Sequence, residues 1–523
     1  MSTTTTNSSH DSRGKPAHLF VLIHGLWGTA KHMETIEQFI NHSVPSSTSD
    51  KIVTIKPSCF RFWKTYDGLE LNSQRIVSEI FYEIESLKEK NNLDVVKISF
   101  VGYSLGGLIS RYVIGLLQDL KFFDKIKPVF FTTFATPHVG IEFFNDNVFD
   151  AVANRVGPYL FGKSGGQLFI SDYDKILVTM ADPDEKFFQG LKRFEKHILL
   201  ANIRNDRTVA FFTSYITDVS PFDKFNDIKV EYLSDLPQAK IGNKVVSPKF
   251  VDLSKSRVLT LEDKKTFVGN KQEETPFVRK NKWSRILIIV LLASFVAPFW
   301  IPLVLTTSTV VSFYSFIKIQ IVKGPPIGKH WNRVKSFVYG HAPIDPDDSK
   351  TGQQKREQRR TLDKHESFKG DTSYFTKESV DRVLYAEDRL LNRNMTTSED
   401  EDYGATDTEE LSETAMDKII DMNVELNDKV IGASISILKQ YESFPLFNDK
   451  KYKLPLNKEK QFIVNNLNSI DWIKIPVYLD VWNAHDGIVG RRGAASNPRG
   501  ASTIGLWASI LRNHLKEESA EST

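Results

Sequence analysis

Short apolar runs alternate with longer stretches of helical periodicity from Ala17 to about Thr136. The apolar runs are Ala17–Ile23, Lys51–Lys56, Asp94–Val101 and Pro128–Phe134. They are strand-length and rich in β-branched and aromatic residues, and most are apolar on both faces, as strands inside a parallel sheet are. Thr29–Asn41, Ser73–Lys90 and Leu108–Ile114 lie between them and read as helices. In the second of these, Ile76, Ile80, Ile84 and Leu87 fall on one helical face. This alternation predicts a mostly parallel sheet with helices on both faces. Much further on, His197–Ile203 and Ile475–Trp482 read as late strands of the same sheet, and about Ile504–Leu515 as a C-terminal helix.

Three stretches break the alternation. Residues from about 140 to 193 carry many aromatics, among them Phe143, Phe144, Tyr159, Phe161 and Phe169, between glycines and charges. Their place between strands suggests a cap with an apolar inner face. Ile286–Ile317 contains no charged residue, while Arg279, Lys280, Lys282 and Arg285 precede it and Lys318, Lys323 and Lys329 follow. From about 345 to 413 the chain is polar and charge-rich, the composition of a disordered linker. The expected organisation is therefore a disordered N-terminus over 1–16 and a first core part over 17–282 with its cap. A hydrophobic insertion over 283–323, the linker over 345–413 and a second core part over 414–523 follow. No elements are assigned within 207–282 or 414–474.

Composition narrows the chemistry. The 68 Lys+Arg nearly balance the 65 Asp+Glu, and a net charge of +3 excludes nucleic acid as a bulk electrostatic partner. The single cysteine, Cys59, leaves no intramolecular disulfide and fits a reducing compartment. There is no Cys/His cluster with zinc spacing, and no metal or organic cofactor is implied. Met1–Lys15 is polar and lacks an apolar h-region, so no cleaved signal peptide is expected.

Gly102-Tyr103-Ser104-Leu105-Gly106 joins the Asp94–Val101 strand to the following helix. A serine held in so sharp a strand-to-helix turn projects its hydroxyl clear of the sheet, and the flanking glycines remove side chains that would collide there. This context identifies the α/β-hydrolase fold and makes Ser104 the candidate nucleophile. His24-Gly25-Leu26-Trp27-Gly28 follows the first strand. A His-Gly loop there supplies one backbone N–H to an oxyanion hole, from Leu26 or Trp27, and Leu105 supplies the other.

A serine hydroxyl needs a histidine base, and the base a carboxylate, in the chain order Ser, acid, His. His485, just after the last strand, is the candidate base. His24 belongs to the glycine loop and His138 comes too early, while His514 falls in a helix and His330, His341 and His365 in polar connecting sequence. For the acid, Asp206 follows a strand in Asn205-Asp206-Arg207, with Asp182, Asp184 and Asp218 as rivals.

These motifs, with Ala135-Thr136-Pro137-His138-Val139-Gly140 and His485-Asp486-Gly487-Ile488-Val489, resemble the fungal putative serine esterase family, which includes yeast lipid-droplet phospholipases. The resemblance covers Ala17 to about Phe212 and Ile475 to Arg492. Tyr103 departs from it, standing where many such lipases have His. The resemblance implies hydrolysis of lipid acyl esters by Ser104, Asp206 and His485, with a glycerophospholipid as the expected substrate. A triacylglycerol or steryl ester is the alternative. A membrane-tethered, non-catalytic scaffold on a hydrolase fold is the alternative of another class.

The order of these residues constrains the hydrophobic insertion. As one straight helix Ile286–Ile317 would reach roughly 48 Å, longer than a hydrocarbon core of about 30 Å. Pro298 and Pro302 divide it into two arms of roughly 18–23 Å. A single span would part Ser104 and Asp206 from His485, so a re-entrant hairpin in a membrane or droplet monolayer is expected through 286–317. Basic flanks on both sides favour two cytosolic ends. The alternative is a buried pair of core helices. The expected location is a lipid droplet or the cytosolic face of the endoplasmic reticulum.

Overall fold

The computed structural model describes residues 14–45, 48–144, 148–234, 236, 239–241, 244–260, 263, 306–317, 327–339 and 444–521. The expected disordered N-terminus (its last three residues apart), the 345–413 linker and the 286–305 part of the hydrophobic insertion lie outside these.

The centre is a six-stranded sheet of β1 (Lys15–Ile23), β2 (Lys51–Ile55), β3 (Leu93–Tyr103), β4 (Lys127–Phe134), β5 (Lys196–Asn202) and β6 (Trp472–Val477). Its spatial order is β6-β5-β4-β3-β1-β2, and every neighbouring pair is parallel. The apolar runs serve two cores at once, because alternate side chains leave a strand on opposite faces. From β1, Leu19, Val21 and Ile23 pack with residues of α2 (Leu69–Asn91) and α3 (Leu105–Asp119). Phe20 and Leu22 pack on the other face with Ile36, Phe39 and Ile40 of α1 (Glu34–Ser43) and with Trp507 and Leu511 of the C-terminal helix (Pro498–Glu521). Helices on both faces of a parallel sheet, joined by the turn at Ser104, make this the α/β-hydrolase fold.

The order places the site. The chain runs outward from β1 to β2, then passes back over β1 to form β3 and continues toward the other edge. In such sheets ligands bind outside the carboxyl ends of the two strands where the direction reverses. Those strands are β1, which runs into His24-Gly25-Leu26, and β3, which runs into Ser104.

Some expectations change in detail. The helix expected from Ser73 begins at Leu69, because Leu69 and Leu71 are buried, and Gly68 admits the chain at φ +89°. The last strand, expected over Ile475–Trp482, occupies Trp472–Val477 instead. Beyond Val477 the backbone leaves β5, and Tyr478 N–H donates to Lys249 O. The stretch expected to form a cap divides in two. Its last helix, α6 (Lys186–Lys192), belongs to the core: a methyl group at Gly115 of α3 would stand 2.1 Å from the Phe187 ring. The rest of the stretch holds α4 (Val148–Leu160), α5 (Gly162–Leu168) and a short helix over Ile176–Thr179.

Within the hydrophobic insertion, 306–317 is a helix lying against the body, not an arm extending away from it. Among the described residues no helix is long and apolar enough to cross a membrane.

Candidate active site

Ser104 occupies the bend between β3 and α3 at φ +55°, ψ −126°, a conformation that costs an L-residue free energy and persists only where the surroundings enforce it. Its N–H donates to Phe134 O at 2.9 Å. The bend also requires glycine at Gly106, where a Cβ would stand 2.1 Å from Ile23 O. With no side chain there, α3 closes directly onto the end of β1.

The hydroxyl of Ser104 meets His485 Nε2 at 3.0 Å, and His485 Nδ1 meets Asp206 Oδ2 at 3.0 Å. Ser104 is separated from His485 by 381 positions in sequence and Asp206 by 279. Asp206 rides on the loop after β5 and His485 on the loop after β6, strands paired in register up to Val477 beside Asn202. The structure thus brings together the three residues that chain order and motif context single out. It leaves the rivals elsewhere. His138 bonds Thr133 Oγ1, His514 pairs with Glu195, and His24 stacks on Phe60 at 4.0 Å. Asp218 pairs with Lys453, and Asp182 accepts the Asp184 N–H.

Each member is held from behind. Asp206 Oδ1 accepts from the N–H groups of Thr208 and Val209, while Oδ2 accepts from Asn202 Nδ2 as well as facing the imidazole. Asn202 Nδ2 also donates to Ala484 O, so one amide ties the acid loop to the base loop. On the other side the Tyr103 hydroxyl donates to Asp486 Oδ1, which also accepts from Arg491 Nη1. The Tyr103 ring lies 5.0 Å from that of His485. Asn202, Asp486 and Arg491 were not singled out from sequence, because their partners are adjacent only after the sheet forms. Tyr103, noted only as a departure from a family pattern, is here a support of the base loop.

Burial works against a charge on His485, whose side chain is 8% exposed against 4% for Asp206. The Asp206 carboxylate and its hydrogen bond more than offset that, Asp486 adds to them, and Arg491 opposes, so the imidazole is raised above its ordinary 6.5. Asp486 itself is held below the usual carboxylate range; burial opposes this, and Arg491 and His485 outweigh it.

Gly25 lies against the serine, where a Cβ would stand 2.7 Å from Ser104 Cβ. Of the two N–H groups considered in this loop, that of Trp27 donates to Thr65 Oγ1 at 3.2 Å, which leaves Leu26. Leu105 is the first residue of α3, and a helix's first N–H has no acceptor within the helix. Trp27 (φ +55°) sits in an aromatic cluster with Phe62, Trp63 and Tyr66, and its indole N–H donates to Tyr66 Oη at 2.7 Å.

Residues 13–217, which include the glycine loop, the serine turn and Asp206, match the family model described as "Putative serine esterase (DUF676)". The chain is 30% identical to the putative lipase C4A8.10 of Schizosaccharomyces pombe over 41% of its own length and 28% of that protein. To the putative lipase ROG1 of Saccharomyces cerevisiae it is 30% identical over 43% of its length and 31% of the relative. It therefore spans less than a third of these curated relatives. Among solved structures, carboxyl esterase 2 of the mycorrhizal fungus Tuber melanosporum is similar with 17% identity and a TM-score of 0.24, over 35% of this chain and 58% of that one. His485 lies beyond the residues matched to the esterase domain, and only the fold carries it to Ser104.

Proposed function

We propose that the chain is a serine hydrolase of lipid acyl esters. The observation that carries this reading is the unbroken line from Asp206 through His485 to Ser104 on a strained strand-to-helix turn. In this mechanism His485 Nε2 takes the Ser104 proton as Oγ attacks the acyl carbonyl. The N–H groups of Leu26 and Leu105 hold the resulting oxyanion. His485 then protonates the departing alcohol, and a water deprotonated by the same imidazole attacks the acyl-serine, releasing a fatty acid and restoring the hydroxyl. Asp206 keeps Nδ1 protonated and stabilises the imidazolium formed in each half-reaction.

Within that reading the substrate is a glycerophospholipid, met at a lipid droplet or the cytosolic face of the endoplasmic reticulum. The uncharged Ile286–Ile317 segment and its basic flanks support a lipid surface as the place of action. The test is a purified full-length chain given a fluorophosphonate probe, then phosphatidylcholine, phosphatidylethanolamine and triolein in turn. The expected result is covalent labelling and release of fatty acid from the phospholipids. Absence of labelling would favour the non-catalytic scaffold, and turnover of triolein alone a neutral-lipid lipase.

Proton transfer to His485 fixes the pH dependence. The base must be neutral to act, and its pKa is raised, so kcat/KM on a soluble short-chain ester should be lost as pH falls through a limb above 6.5. Asp486→Asn removes one of the charges that raise it and leaves Arg491, which lowers it. The limb should move toward lower pH in that variant. A limb that stays in place would mean that another group sets it.

A further inference from the structure

The 306–317 helix, here α7, is amphipathic in an unusual sense. Ser308, Ser312 and Ser315 fall on one edge, at i, i+4 and i+7, and this edge meets the protein. Ser315 Oγ donates to Asp67 Oδ1 at 2.6 Å, Ser312 Oγ accepts the Gly162 N–H at 3.0 Å, and Ser308 is bonded to the Tyr66 hydroxyl. The opposite edge points away. Val310 is 61% exposed, Phe313 66%, Phe316 63% and Ile317 44%. A helix docked on a soluble body ordinarily does the reverse.

The neighbouring element repeats the arrangement. On α4, Val152, Val156 and Tyr159 lie at i, i+4 and i+7 and are 53%, 40% and 77% exposed. Gly162, two residues beyond α4, is the residue whose N–H meets Ser312. The Gly162–Ser312 bond brings the end of α4 to the middle of α7, and exposed apolar side chains on two elements tied in this way mark an interaction surface. They adjoin the site: Ser308 bonds Tyr66, whose hydroxyl accepts from the indole of Trp27, next in sequence to Leu26.

We propose that the outer faces of α7 and α4 together form the surface on which this protein sits on lipid, with the rim of the esterase site set against that surface. The occupant is argued from charge as well as from apolarity. No charged residue interrupts Ile286–Ile317; Lys318 follows at once, and Lys323 and Lys329 come after it. That sequence of apolar face and basic flank suits a layer of acyl chains under anionic headgroups. The serine edge explains how a helix so apolar stays on the protein: its polar groups are satisfied by the body, leaving the aromatics for the lipid. The inference rests on the esterase reading for its purpose, but the binding it asserts is independent of catalysis.

The experiment compares the full chain with F313S/F316S and V156S/Y159S. All three are mixed with phosphatidylcholine vesicles, with and without phosphatidylserine, and with phosphatidylcholine-coated triolein droplets. None of the four positions touches Ser104, His485 or Asp206, so labelling by a fluorophosphonate and hydrolysis of a soluble short-chain ester should be unchanged. Binding to vesicles and droplets, and hydrolysis of packed phospholipid, should each fall by about tenfold or more. Wild-type binding and wild-type lipid hydrolysis in both variants would overturn the proposal. A wild-type dimer that light scattering shows dissociating in the variants, with lipid binding intact, would also overturn it in favour of a second copy. Failure of the unaltered chain to hydrolyse the soluble ester would instead count against the esterase reading, with the vesicle binding still deciding this one.

Discussion

Ser104→Ala is expected to lower hydrolysis of any ester this chain accepts by about 10⁴ or more, and to abolish fluorophosphonate labelling. The hydroxyl is the only group of the serine that reaches His485 Nε2. Alanine meets the same φ of +55° that serine does, so the strain of the turn is the same before and after. Stability should therefore stay within about 1 kcal/mol of wild type, as read from a denaturant midpoint. Retention of more than roughly a hundredth of the activity would assign the nucleophile to another residue.

Asp206→Asn is expected to cost about 10⁴ in kcat, through the tautomer of the base. Asp206 is surrounded by donors: two backbone N–H groups on Oδ1, and Asn202 and His485 on Oδ2. An asparagine must turn its amide –NH₂ toward one of these sets. If it faces His485, Nδ1 becomes the acceptor and Nε2 carries the proton, which leaves nothing to take one from Ser104. If it faces the loop, two N–H groups lose their acceptor. Loss of the carboxylate also removes the main influence raising His485, so any residual activity should persist to lower pH. A variant within about tenfold of wild type, with its melting temperature unchanged, would show that the imidazole is oriented by another carboxylate.

The elements that were legible in the sequence are those whose signal is local. The glycine loop and the serine turn each occupy a few contiguous residues with a strand before them. Their geometry is dictated by glycine at positions such as Gly106, where any side chain would meet Ile23 O. Asp206 and His485 were legible through chain order, because late strands of a doubly covered sheet bring their following loops to one end. Asn202, Asp486 and Arg491 carried no such signal. Each acts through a partner fixed by strand pairing, and an isolated Asn or Arg looks the same in a loop that has no role.

In two other regions the structure adds detail that hydropathy does not carry. Lys186–Lys192 looked like cap because its aromatics are close to charges, yet Phe187 fills the space that Gly115 leaves open on α3. In 306–317 the serines count as nearly neutral on any hydropathy scale, so their alignment on one edge was invisible beside the long uncharged run. Only their bonds to Tyr66, Gly162 and Asp67 reveal which side faces the protein.

The place of β6 at the sheet's edge has a consequence for when Ser104, Asp206 and His485 can meet. The base arrives 279 positions after the acid, on a strand that joins the sheet beside β5. At about 5–20 residues per second, synthesis takes roughly a quarter of a minute to a minute to cross that interval. Until then the nascent chain holds a serine on its turn and an aspartate in its loop, with no imidazole between them. A nascent or truncated chain that ends before β6 has no base for Ser104, so the three residues come together only once His485 has been made and β6 has joined the sheet.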